Sequence, residues 1–375
     1  MILKVDRLDF LKKIKIVEKA INENKIRPII SYVFIETRGD KLFFCGTNLE
    51  LTISTTMECE ILREGKAVFQ HNLVEEYLKE IKDEVILLNI DEDTLTIETS
   101  DSSSEFTLMN ADEFPRIQDD EVKEEEFEFN FKKLDLADAF DRVKFSASMS
   151  SDNLSINCIR MEIEENKIKF ISTDTYRLTY LENDYKKSEK SFKVSIPINT
   201  IDAISKLLRN GNEEEILFIQ KNKQLYFKLG NISIISRVID LPFPNYKAIL
   251  DASGYNKKLE INKIDFEKML KRIQIFVKNN SESKFGAIFT LNNDTLEIEG
   301  TGEIAKAKEI SKINFQGDNL KISLNVKFLL EFTQSGDKEN SEISLEFTSS
   351  NSAVRLRRVN EDNYTYIVMP LALKD

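Results

Sequence analysis

A chain that repeats itself at a fixed interval must build one kind of unit several times over, and this constrains its architecture more than composition does. Here the interval is about 126 residues in a chain of 375. Gly39-Asp40-Lys41-Leu42 leads into a segment ending Gly46-Thr47-Asn48-Leu49-Glu50. Asn166-Lys167-Ile168 leads likewise into Ser172-Thr173-Asp174-Thr175, and Asp294-Thr295-Leu296 into Gly300-Thr301-Gly302-Glu303. The threonines stand at 47, 173 and 301, steps of 126 and 128. A second marker recurs at steps of 127 and 126: His71-Asn72-Leu73, Ile198-Asn199-Thr200 and Leu324-Asn325-Val326 each open a short helical pattern. Phe114-Pro115 and Phe243-Pro244 close the first two units, and Met369-Pro370 lies near the end of the third.

The units are read as three domains, 1–126, 127–250 and 251–375. An acidic run (Asp119, Asp120, Glu121, Glu124, Glu125, Glu126) forms a solvated linker between the first two. Segments such as Thr94-Leu95-Thr96-Ile97-Glu98, Lys167-Ile168-Lys169-Phe170 and Leu296-Glu297-Ile298-Glu299 alternate apolar and polar residues, the period of a half-buried strand. Two helices per unit interrupt them. The fold class is α+β, three similar domains with mostly antiparallel strands. Any duplicated scaffold would repeat in this way, so function has to come from elsewhere.

Charge supplies the next clue. The chain carries a net −12, which argues against a nucleic-acid partner only if the charge is spread evenly. It is not. On a wheel of about 100° per residue, Phe10, Ile14, Val17 and Ile21 share one helix face, with Lys12, Lys15 and Lys19 opposite. In the third unit Phe266, Met269, Leu270 and Ile273 oppose Lys268, Lys271 and Arg272. In the second helix of unit two Ile201, Ile204 and Leu208 oppose Lys206 and Arg209, whereas its first helix is weaker, with Asp135 and Asp138 beside Arg142 opposite Phe140. The six helical stretches together carry +8, which leaves −20 on the rest of the chain. Cations on repeated helices suit a polyanion met through its phosphates, with no base readout.

Catalytic constellations are missing. The one histidine, His71, is read as a cap or surface residue at a helix start. Cys45, Cys59 and Cys158 form no CxxC, which points to a reducing cytoplasm, and Cys45 and Cys59 are read as buried strand thiols. No HExxH, GxxxxGK[ST] or GxGxxG occurs, and no spaced carboxylate pair marks an acid/base couple. Neither a run of about 18 apolar residues nor a signal-peptide layout is present. The expectation is a cytoplasmic non-enzyme without cofactor, metal or membrane contact.

Three segments, together with the equal units, then carry a resemblance: Ser172-Thr173-Asp174-Thr175-Tyr176-Arg177-Leu178, Phe243-Pro244-Asn245-Tyr246 and Tyr366-Ile367-Val368-Met369-Pro370-Leu371. Over its whole length the chain resembles the bacterial sliding clamp, the beta subunit of DNA polymerase III. The resemblance implies a head-to-tail homodimer closed into a ring, with helices lining the hole around double-stranded DNA and antiparallel sheets outside. It also implies a cleft between the second and third domains for short peptides of the Gln-Leu-x-Leu-Phe kind. The partners would be the replicative polymerase alpha subunit, the clamp loader, and repair and translesion polymerases.

Carried over by position, the cleft would be lined by Ile156, Thr173, Tyr176, Arg177, Leu178, Pro244, Ile249, Val368, Met369, Pro370 and Leu371, with Arg177 fixing the polar end of the peptide. Phe106 on one side, and Ile275 with Phe276 on the other, match the dimer contact, and Arg27 matches an arginine facing the hole. Thr175 departs from the family's usual glycine and is expected to narrow the cleft floor; Ala372 stands where many members have arginine, and Lys374-Asp375 extend past the usual end. Two rivals are weighed: a peptide-binding adaptor that never encircles DNA, and a nucleic-acid hydrolase, which needs a carboxylate cluster absent from the sequence.

Overall fold

The computed structural model describes residues 1–115, 127–150, 152–186, 191–252, 254–281, 283–336 and 341–372. The acidic run Asp119 to Glu126, and Lys374 and Asp375, lie outside the described residues.

Seven α-helices occur among them: α1 Arg7–Val17, α2 His71–Glu80, α3 Lys133–Val143, α4 Ile198–Leu208, the short α5 Tyr246–Leu250, α6 Lys263–Val277 and α7 Val326–Gln334. α1, α3, α4, α6 and α7 follow directly on a strand and α2 after one residue, and polar residues at three of these junctions satisfy the first free N–H groups of the helix. Asp6 accepts from the Asp9 N–H at 2.7 Å, Asn262 from Ile264 and Asp265 at 3.0 and 3.3 Å, and Asn325 from Phe328 at 3.2 Å. His71 behaves differently from its sequence reading. It is the first helical residue of α2, Gln70 holds the cap position, and the imidazole is buried. Burial lowers its pKa, against the pull of Glu75.

The apolar wheels match the burial except at Ile21, which lies past the end of α1 and is half-buried. Phe10, Ile14 and Val17 are fully buried, as are Ile201, Ile204 and Leu208, and Phe266, Leu270 and Ile273. Single-face wheels missed Leu11 and Ile16, which are also buried and border the lysine stripe of α1 on either side.

The chain forms two compact units: Met1–Leu136 with Asp202–Val238, and Ala137–Ile201 with Ile239–Asp375. In the first, thirteen described strands make one antiparallel sheet. Strand Ile232–Arg237 pairs with Leu51–Glu58 in the register Ser233↔Ser54, Ile234↔Ile53, so ladder hydrogen bonds run from the second repeat into the first. In the second unit a nine-stranded sheet does the same between Arg177–Asp184 and Glu361–Val368, with Leu178 opposite Ile367. A four-stranded sheet, with Lys306–Lys312 at its edge, completes that unit. The middle repeat therefore shares a continuous sheet with each of its neighbours.

The repeat persists at the level of single hydrogen bonds. The marker threonines end the strands Lys41–Thr47, Lys167–Thr173 and Thr295–Thr301. Thr47 Oγ1 donates to Leu51 O at 3.1 Å and accepts from Leu49 N at 3.0 Å. Thr173 Oγ1 donates to Arg177 O at 2.6 Å and accepts from Thr175 N at 3.1 Å. Asn48 and Asp174 each receive two backbone N–H groups on Oδ1, at 2.8–3.0 and 3.0–3.1 Å. Leu49 and Thr175, one repeat apart, both take positive φ, 76° and 79°.

Phe10 anchors the core of the first unit, edge-on to Phe44 at 5.3 Å and stacked on Phe69 at 6.3 Å. Phe10→Ala is expected to cost about 3–5 kcal/mol of stability, measured as a shifted denaturant midpoint; a loss below about 1 kcal/mol would show that this ring does not hold α1 to the sheet.

Candidate functional site

The resemblance-derived cleft residues all fall in the second unit, where two strands and one arm bring most of them together. Strand Arg177–Asp184 lies antiparallel to Glu361–Val368, and the ladder runs one residue further, Met369 N donating to Tyr176 O at 2.8 Å. Beyond Pro370 the chain turns onto the four-stranded sheet, where Leu371 N donates to Ser323 O at 2.8 Å. Glu361–Val368 is thus a central strand, with Val354–Arg358 on its other side. Its Tyr364 and Tyr366 are fully buried, and Tyr366 stacks on Phe332 of α7 at 5.0 Å.

The eleven residues divide by exposure. Ile156, Thr173, Leu178 and Val368 are buried and form structure beneath the surface. Tyr176 at 64%, Met369 at 43% and Ile249 at 39% are open to solvent, and Pro244, Pro370 and Leu371 are half-buried. Large apolar groups this exposed on one unit are a candidate binding surface. Ile156 sits in a helical turn, Leu154–Ile156, beside Leu154, which is exposed and was missed from sequence.

The sequence reading has Arg177 fixing the polar end of a peptide, and in the structure its guanidinium already has partners within the chain. The side chain is buried, and its guanidinium is engaged within the protein on every side. Nε donates to Asp174 Oδ2 at 3.0 Å, one terminal nitrogen to the Glu331 carboxylate of α7, and the other to Phe145 O at 2.5 Å. Its plane lies 4.1 Å over the Phe328 ring. A guanidinium this fully paired is a structural tie, and truncating it would leave Glu331 and Asp174 without their partner. Thr175 also departs from expectation. Its side chain is exposed in the turn, so its cost is backbone conformation and not a narrowed floor.

The arm carrying Pro244 and Ile249 is held by a buried carboxylate that sequence reasoning did not find. Glu162 accepts from Tyr246 Oη at 2.9 Å and from Arg160 Nε at 3.1 Å, with Lys193 at 3.8 Å. Tyr246 packs with Leu178 and Ile367, and Phe243 and Leu250 close over them. Next to it, Lys193 at 2.7 Å and Lys169 at 2.9 Å hold the Glu164 carboxyl down to about 2. Glu162 and Tyr246 lie 84 residues apart, so no local pattern could reveal the pair.

The basic residues project from the helices as the wheels require, though many already have partners. Lys15 lies 3.5 Å from Glu75, Lys268 3.9 Å from Asp265 and Lys271 2.5 Å from Glu267, while Arg272 donates to both oxygens of Glu309 at 2.7 and 2.5 Å. Lys19 donates to Lys15 O at 2.9 Å. Lys12, Arg27 and Lys206 are exposed with no ion pair among the described residues, and Arg209 is exposed. Of the dimer candidates, Ile275 is 63% exposed, Phe276 is half-buried, and Phe106 is half-buried against Tyr77 at 5.6 Å.

Known proteins give the same frame. The family models for the N-terminal, central and C-terminal domains of the DNA polymerase III beta subunit match residues 1–118, 130–245 and 252–372. This chain belongs to the DNA polymerase III beta subunit family. It is 23% identical over 374 residues to the beta sliding clamp of Staphylococcus epidermidis, covering 96% of this chain and 97% of that protein. The beta subunit of Thermotoga maritima superposes with a TM-score of 0.90 at 22% identity, over the full length of both chains. The Pseudomonas aeruginosa sliding clamp solved bound to griselimycin gives 0.88 at 22%, again over the full length of both. The fold is the three-domain sliding clamp fold, α+β with antiparallel sheets.

Two predictions follow for this beta subunit. A left-handed residue other than glycine costs roughly 1–2 kcal/mol, and glycine returns about 0.5–1 through its looser unfolded state. Thr175→Gly is therefore expected to raise stability by about 0.5–1 kcal/mol in chemical denaturation, whereas a loss would mean that the threonine side chain contributes contacts. A depressed carboxyl stabilises above its unfolded pKa, near 4.5, and that gain vanishes as pH falls through the folded value of about 2. Glu164→Gln should lower the melting temperature at pH 7 and match the parent near pH 2; an equal deficit at both pH values would rule out the ionic origin.

Proposed function

We propose that this beta subunit is a non-catalytic processivity factor: two copies close head to tail into a ring around duplex DNA, and a cleft beside Met369 recruits the proteins that work there. The observation that carries the reading is the charge placed on the repeat. Helices of all three repeats bear lysines and arginines opposite their buried faces, whereas the chain as a whole is net −12. Diffuse phosphate contacts of this kind attract DNA without fixing position, which is what sliding requires. Lys12, Lys15, Lys19, Arg27, Lys206, Arg209, Lys268, Lys271 and Arg272 are the proposed contacts.

Closure needs complementary edges. Lys306–Lys312 ends its sheet with Ile310 exposed, and in strand Ser103–Met109 the described pairings of Ser103–Thr107 are on one side only. Unpaired edges flanked by Phe106 on one strand, and by Ile275 and Phe276 on the neighbouring helix, suit a heterologous contact that closes by symmetry. For recruitment, Tyr176, Ile249 and Met369 are the exposed apolar groups, and Pro244, Pro370 and Leu371 extend the patch. Burying a leucine and a phenylalanine of a partner peptide there is worth roughly 1.5–3 kcal/mol each. The partners are the polymerase alpha subunit, the clamp loader, and repair and translesion polymerases; the site of action is the cytoplasm.

The decisive experiment loads the protein onto nicked circular DNA with a clamp loader and then linearises the circle. The ring reading expects release through the free ends, and retention on the linear form overturns it. In parallel, Met369→Asp should abolish binding of a Gln-Leu-x-Leu-Phe peptide by calorimetry yet leave loading-independent dimerisation intact. Unchanged peptide affinity would move the recruitment site elsewhere.

A further inference from the structure

The first unit contains a groove, bordered by the proposed DNA-facing lysines of α1, whose apolar walls neither DNA contact nor the peptide cleft accounts for. It encloses about 610 Å³ between α1 and the C-terminal end of α4, within the size range of ligand pockets. Its walls are Leu8, Leu11, Ile16, Leu207 and Ile232, and Lys12, Lys13, Lys15 and Lys19 stand around them. Leu8 is 60% exposed although it lies one turn from Lys12 on the same helix.

The charge is one-sided. Glu213 is the lining carboxylate among the described residues, and it lies 4.0 Å from Lys133. Lys15 has Glu75 at 3.5 Å and Lys13 has Asp9 at 4.0 Å, while Lys12 has no ion pair among the described residues. Burial holds the Lys19 ammonium below the usual lysine range against the pull of Glu18, with Lys206 and Lys15 pushing it down and Glu75 pulling it up to lesser extents. Lys12 thus has no carboxylate within ion-pair distance among the described residues, and the partners of Lys13 and Lys15 lie 3.5–4.0 Å away.

We infer that this groove is a second binding site, and that its occupant is a short acidic peptide carrying large apolar side chains. Both halves of that description are needed. Duplex phosphates use lysines but gain nothing from a leucine wall. A purely apolar peptide would desolvate the lysines and leave Lys12 without a counter-charge. An acidic apolar segment satisfies both, and on a chain of net −12 this cationic groove is where an anionic partner concentrates. If Lys12, Lys15 and Lys19 also meet DNA, as proposed above, peptide and DNA exclude each other, giving a means to hold the protein off DNA. That exclusion rests on the DNA reading; the binding itself does not.

The test is calorimetry on the full chain with the acetylated probe Asp-Leu-Glu-Phe-Asp-Leu. Leu8→Ser and Lys12→Glu should each weaken binding about tenfold or more, and Met369→Asp should leave it within about twofold. Leu8→Gln, which keeps the side-chain bulk, separates loss of the apolar wall from any loss of fold, with the melting curve as control. Lack of binding by the parent protein overturns the proposal. So does binding abolished by Met369→Asp and untouched by Leu8→Ser, which would place the probe in the cleft. A Leu8→Ser variant that retains the probe but releases circular DNA faster would assign the groove to DNA and likewise overturn it. Failure of the groove leaves the linearisation experiment unaffected, so the two readings fail separately.

Discussion

A β-strand with an unpaired edge leaves its backbone N–H and C=O groups open, and the joining of the repeats follows from closing such edges across repeat boundaries. The second repeat supplies an open strand at each end, Ile232–Arg237 and Arg177–Asp184, and each is completed by a neighbouring repeat. Backbone hydrogen bonds, more than side-chain packing alone, therefore bind three copies of one design into one chain. The two compact units cut through the middle repeat for this reason: its halves are each committed to a different neighbour.

That commitment places the candidate cleft. Where Arg177–Asp184 meets Glu361–Val368, the chain leaves the ladder at Met369 and passes to another sheet. Apolar residues at such an exit have no further strand to cover them. The turn at Thr173 to Arg177 has the hydrogen bonds of its counterpart at Thr47 to Leu51, but where the first repeat has Glu50 and Leu51 the second has Tyr176 and Arg177. One scaffold thus gives a plain turn in one repeat and, in the next, an exposed aromatic ring beside a buried guanidinium tie to α7.

Features with a period were legible in the sequence. The threonine spacing found three strand ends, and the wheels found the buried faces of α1, α4 and α6 because those faces repeat every three to four residues. Leu11 and Ile16 escaped because α1 is covered on more than the one face a simple wheel allows. Glu162 with Tyr246, and Arg177 with Glu331, escaped for another reason: 84 and 154 residues separate the partners, and nothing local marks a carboxylate as someone else's anchor. Arg177 was assigned to the ligand by position, and only its surroundings reveal that its hydrogen bonds are already made. The buried His71 is similar, since an exposed helix start and a buried one read alike in sequence.

The pairing of Leu181 with Tyr364 also sets a waiting time. A ribosome adding roughly 5–20 residues per second finishes the first strand about ten to forty seconds before the second exists. Through that interval the edge of Arg177–Asp184 that will pair with Glu361–Val368 stays open. Nascent chains on neighbouring ribosomes of one message carry the same open edge, at high local concentration and in matching register. Leu51–Glu58 waits as long for Ile232–Arg237, so both strand pairings that join the repeats in the finished protein are open to mispairing during synthesis.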